Sequence, residues 1–213
     1  MITGPRAARP APDKTSKKMY TQGGFAMTSA IMNDIPKKRF SVGTQMIAGG
    51  CAMAAAVILP QIFHVLGAVS GINTALGEIL LPMHLPVILV GLIIGPWAGC
   101  CAGLLSPLIS YMLTDMPAMQ MLPFMMIELF VYGLLAGMLR ELKIHTFIKV
   151  VIIQIGGRMI RAAAILAATQ LLNISSLSVS VIWTSIRTGL FGIVLQWLLI
   201  PLIIYRIEKG NNK

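Results

Sequence analysis

A chain of 213 residues that is 56% hydrophobic and 11% charged, with a mean hydropathy of +0.82, has too few charges to cover a soluble domain of this size. Its net charge of +10 would suit a nucleic-acid partner, yet the basic residues lie in a tail and at the ends of apolar runs instead of forming one binding face, so nucleic acid is not the expected partner. The runs are long and continuous where a membrane barrel would alternate, which leaves an all-α, polytopic membrane protein embedded in a lipid bilayer.

Residues 1–40 read as a polar N-terminal tail carrying Arg6, Arg9, Lys14, Lys17, Lys18, Lys37, Lys38 and Arg39. It lacks the apolar core of a secretory signal, and Met32 is a candidate natural start, which N-terminal sequencing of the native protein would test. A transmembrane domain is expected over 41–205, beginning with a span at about 41–66. Leu80 to Leu113 is too long for one helix, since it would measure roughly 50 Å against ~30 Å of hydrocarbon. Pro96 removes a backbone donor and disfavours helix at Gly95, so a turn there should separate spans at about 80–95 and 97–113. Further spans are expected at about 121–139, 146–172 and 179–205, six in all, before a C-terminal tail at 206–213.

An even number of spans puts both termini on one side. A cytoplasmic placement gathers fourteen of the seventeen basic residues there, including Arg140, Lys143, Lys149, Arg206, Lys209 and Lys213, and leaves Glu78 and Asp115 as the charges of the outer loops. The three remaining cations, Arg158, Arg161 and Arg187, lie within apolar runs, as does Glu128. A charge at the bilayer centre costs at least ~2.5–3.5 kcal/mol, so each needs a partner, water or a snorkelling path. Counted from the outer surface, Glu128, Arg161 and Arg187 fall ~10–17 Å deep, with Arg158 one turn below Arg161 on the same face. One account is a Glu–Arg pair that pins helices together. The other is a pocket open to the outside whose surplus positive charge is met by an anionic ligand, since guanidinium suits carboxylate or phosphate.

Small residues recur at helical spacing. Ala48, Ala52 and Ala56 form one row, and Gly91, Gly95, Gly99 and Gly103 another, with Gly133 and Gly137 beyond. Such rows let helices approach closely in lipid. Packing within the chain accounts for the glycines, whereas the alanine row could equally face another protein. Cys51, Cys100 and Cys101 lie in apolar runs without metal-ligand spacing and read as packing residues. His64 and His84 bracket the first outer loop, and Asn173, Ser175, Ser176, Ser178 and Ser180 mark a polar turn before the last span. No hydrolase serine motif, HExxH or phosphate-binding lysine loop accompanies them, so no enzyme, metal site or cofactor is expected.

The segments LPQIFHVLG, LPMHLPVILVGLIIGPWAG, SPLISYMLTDMP and ELFVYGLLAGML, in that order between residues 41 and 205, resemble the S component of energy-coupling factor transporters. The resemblance implies a six-helix, vitamin-binding bundle of the cell membrane with both termini cytoplasmic. It would capture a vitamin or related micronutrient from outside and dock on a T subunit that carries two ATPases. It implies docking through Ala48, Ala52 and Ala56, so Ala52→Trp is expected to spare binding and abolish uptake. It places His84 at the mouth of the pocket and Met116 in a loop lining it; Glu128, Arg158, Arg161 and Arg187, picked out above by their charge, are the expected charged binding residues. Pantothenate is the first candidate ligand, because a surplus of arginine favours an acid. Riboflavin would want more aromatic residues than a content of 7% offers. Two other classes remain open: a small membrane enzyme acting on a lipid phosphate, and a self-sufficient carrier.

Overall fold

The computed structural model describes residues 40–71, 75–171 and 180–211. The basic tail, the Met32 start, the Glu78 side chain and all of the polar turn except Ser180 lie outside them. The described residues form seven helical segments: α1 (Val42–Val69), α2 (Ala75–Leu80), α3 (His84–Ile93), α4 (Pro96–Thr114), α5 (Leu122–Leu139), α6 (Thr146–Leu171) and α7 (Ser180–Asn211). Five of them, α1 and α4 to α7, are long and apolar enough to cross a membrane.

The expected second span is where the structure differs. Instead of one helix over 80–95, α2 ends at Leu80 and α3 begins at His84. Leu81 takes a left-handed backbone (φ 49°). Ten residues of α3 rise only about 15 Å, half the hydrocarbon thickness, so the span is completed by broken backbone and the short α2. Non-helical backbone at membrane depth is tolerated where protein buries it or where it lines a cavity. Here Leu81, Pro82 and Met83 line one. The turn at Gly95-Pro96 is found where the proline predicts it: Gly95 adopts φ 141°, open to glycine, and Pro96 starts α4, where no amide donor is needed.

The glycine rows pack within the chain. A methyl group on Gly99 would lie 2.5 Å from the Gly133 carbonyl oxygen, so α4 and α5 meet backbone to backbone. Gly91 takes the same part for α3 against Gly133 and Ala136. The core runs through α1, α3, α4, α5, α6 and α7, with Ala56, Val87, Ile88, Leu129, Ala136, Ile153 and Ile200 fully enclosed. Outward, the helices are just as apolar: Val42, Met46, Trp97, Met112 and Leu198 are each exposed. Helices hydrophobic on both faces belong in lipid, and the chain is a multi-pass membrane protein.

The alanine row is turned inward, against the expectation of a docking face. Ala56 is fully buried, Ala52 belongs to the same core, and Ala48 packs against it, beside α3 and α4. The row gives close approach, but to the chain's own helices, which use it to seat α1 on the bundle. A tryptophan at Ala52 would therefore overpack this core and disturb folding before it could report on a partner. Beside the row, α1 exposes the small residues Gly50, Cys51 and Ala54, with Gly43 and Ala68 nearer its ends.

Candidate functional site

Alternating chain direction brings the starts of α3, α5 and α7 to the same end of the bundle as the ends of α1, α4 and α6. A cavity of about 380 Å³ opens there, within the range of small-molecule sites. Its polar wall comes from Arg158 and Arg161 on α6, His84 on α3, Ser110 on α4, and Thr184, Ser185 and Thr188 on α7. His64 and Gln61 of α1 face it from another side. Leu81 to Met83, Met116, Pro117, Met121 and Met125 supply the apolar surface. No Phe, Tyr or Trp is among these residues.

Beneath the cavity lies Glu128, one and a half turns into α5 and with no exposed surface. Arg161 Nη1 donates to its Oε2 at 2.7 Å, and the Tyr132 hydroxyl, one turn further along α5, donates to Oε1 at 2.9 Å. Arg161 Nη2 reaches Ser185 Oγ at 3.3 Å, tying α6 to α7. His84 Nε2 stands 3.9 Å from Glu128 Oε2, its ring tilted against Tyr132 at 5.3 Å between centroids. Both ring nitrogens of His84 are buried without a hydrogen-bond partner, as are the Nε atoms of Arg158 and Arg161. Among the described residues, Arg158 has no carboxylate within salt-bridge distance, so one carboxylate faces two guanidiniums.

Of the residues expected at the site, His84, Met116, Arg158 and Arg161 line the cavity, and Glu128 supports it from below. Arg187 does not join them. It is exposed on α7 and does not line the cavity. The depth estimate for Arg187 placed it at the right end of the bundle but said nothing of its face: residues 184, 185 and 188 turn inward, and 187 lies between them on the other side of the helix.

Sequence reasoning passed over a second polar layer. Gln154 Nε2 donates to Gln196 Oε1 at 2.8 Å, Gln196 Nε2 donates to the Leu81 carbonyl at 3.0 Å, and Trp197 Nε1 donates to Gln154 Oε1 at 2.6 Å. Gln154 and Gln196 are almost wholly enclosed. The layer satisfies the backbone freed where the second span breaks, and the Gln154 carbonyl lies 3.5 Å from the Tyr132 hydroxyl above. A glutamine inside each of two apolar spans was the available signal, since an amide in hydrocarbon needs partners. Among the described residues no group of three His, Cys, Asp or Glu side chains is placed to hold a metal ion.

Comparison with known families matches residues 44–204 to the family described as "ECF transporter, substrate-specific component". Comparison with curated proteins and with solved structures gave no match.

Proposed function

Because the chain belongs to the substrate-specific components of ECF transporters, we propose that its cavity captures an anionic micronutrient from outside the cell membrane, with pantothenate the first candidate. The observation that carries this is the charge imbalance: Arg161 is held by Glu128, while Arg158 faces the same space with no carboxylate of its own among the described residues. A ligand carboxylate would supply the missing charge through a planar, two-point contact. Among the described residues the cavity wall offers no phenylalanine, tyrosine or tryptophan for a flat heterocycle to stack on, which favours an aliphatic acid over riboflavin.

The test is a thermal-shift screen of the purified protein against water-soluble vitamins, followed by titration of the one retained. Arg158→Ala is expected to weaken binding of that acid by about 2–5 kcal/mol, as for loss of a charge partner in a desolvated site. Unchanged affinity would remove Arg158 from the site.

In the assembly we propose, the protein contributes recognition and no catalysis, and a T subunit with two ATPases powers import. Both termini lie in the cytoplasm, with Arg140, Lys143 and Lys149 at the end of the bundle away from the cavity. Since Ala52 and Ala56 are buried, docking is assigned to the outward face of α1, where Gly50, Cys51 and Ala54 are exposed. Ala54→Trp is expected to leave vitamin binding unchanged and to abolish uptake in vesicles carrying the full complex. Undiminished uptake would clear this face of a role.

A further inference from the structure

We infer that the cavity grips its ligand at two ends, with His64 and Gln61 forming a hydrogen-bonding subsite apart from the arginines, so that the ligand is an acid bearing a hydroxyl distal to its carboxylate. This rests on the substrate-binding reading above and narrows its ligand class.

The two ends are carried by different parts of the bundle. Arg158 and Arg161 come from α6, which packs on α5 and α7, whereas His64 and Gln61 come from α1, which packs on α2, α3 and α4. His64 Nδ1 is shut off from solvent and has no hydrogen-bond partner among the described residues. An orphaned buried nitrogen is unfavourable, so a ligand group that bonds to it gains what the empty site lacks. Gln61 uses its amide Nε2 to donate to Thr114 Oγ1 at 3.3 Å, which leaves its carbonyl oxygen as an acceptor. A ring nitrogen and an amide oxygen from residues three apart on α1, both lining the cavity, suit a group that both donates and accepts, as a hydroxyl does.

The imidazole is also held in place. A methyl group on Gly77 would fall 2.8 Å from His64 Cε1, so the backbone of α2 closes directly on the ring. Methionines and prolines supply much of the remaining wall, which suits a ligand whose middle carries no charge.

The experiment is calorimetric titration of the full chain in lipid nanodiscs with three probes: pantothenate, pantothenol, and the pantothenate analogue in which both hydroxyls are replaced by hydrogen. His64→Ala is expected to lower affinity for pantothenate roughly tenfold, the factor of one neutral hydrogen bond, and to leave the dehydroxylated analogue unaffected. Arg158→Ala should do the converse, weakening both acids but not pantothenol. Binding of the analogue also reports that His64→Ala is folded, and binding of pantothenol that Arg158→Ala is. Gly77→Ala, which displaces the ring without removing it, should reproduce the selectivity of His64→Ala. Equal losses for both acids, or none for either, would overturn the subsite while leaving the acid-binding site intact. If the panel retains an acid with no distal hydroxyl in place of pantothenate, two-ended recognition falls; another acid that carries one is tested with the same variants and its own dehydroxylated analogue. If the wild-type protein retains no vitamin at all, the substrate reading falls and this subsite with it.

Discussion

Glu128→Ala is expected to destabilise the bundle by about 3 kcal/mol, the lower end of what breaking a buried ion pair costs. Glu128 has no exposed surface and accepts from both Arg161 and Tyr132. Removing it leaves a guanidinium facing a site already rich in positive charge and a tyrosine hydroxyl without its acceptor. The lower end applies because 14% of the Arg161 side chain is exposed, so water in the cavity can reach part of it. The measurement is thermal unfolding in detergent or nanodiscs. A second substitution separates charge from packing: Arg161→Met in the Glu128→Ala background should recover most of the loss, since it removes the orphaned cation and refills its volume. Glu128→Ala with an unchanged unfolding temperature would mean that water solvates Arg161 and that the pair holds nothing together.

Gly133→Leu is expected to abolish folding altogether, and Gly99→Leu with it. The methyl position on Gly99 lies 2.5 Å from the Gly133 carbonyl oxygen, and the methyl position on Gly133 meets the Gly99 carbonyl in turn. These neighbours are backbone atoms in the middle of two helices, with no rotamer to yield, so the helices must separate. Separation breaks the packing that drives helix association in lipid, where no hydrophobic effect draws one apolar helix to another. Even Gly133→Ala should cost about 1–3 kcal/mol by overpacking. Gly50→Leu is the control, because Gly50 is exposed and a methyl position there has nothing within 4 Å. Size-exclusion profiles of the expressed variants are the readout: a sharp peak for Gly50→Leu and aggregate for Gly133→Leu. A monodisperse Gly133→Leu protein would show that the α4–α5 contact is dispensable.

Charge in an apolar run is costly wherever it lies, so residue type and depth alone marked Glu128, Arg158 and Arg161, and the structure brings them together. Pro96 marked a turn for an equally local reason, since proline acts on its own backbone. Apolar length marked the spans, because a bilayer sets a minimum that any crossing helix must meet.

Direction around a helix is a different matter. A membrane helix is apolar toward both lipid and core, so it lacks the amphipathic period that reveals the buried face of a soluble helix. Hence Ala48, Ala52 and Ala56 could be recognised as a close-packing row but not assigned to an inner or outer partner, and Arg187 could be given a depth but not a side. The break at Leu81 is of the same kind. Nothing in its local sequence demands a left-handed backbone; Gln196, far along the chain on α7, supports the break by donating to the Leu81 carbonyl while accepting from Gln154. Sequence by itself determined what this protein is made to live in, where its long spans lie, and that it carries charge inside. Only the tertiary structure decided which faces meet, and so which residues enclose the cavity, because that depends on the rotation of each helix against neighbours distant in sequence.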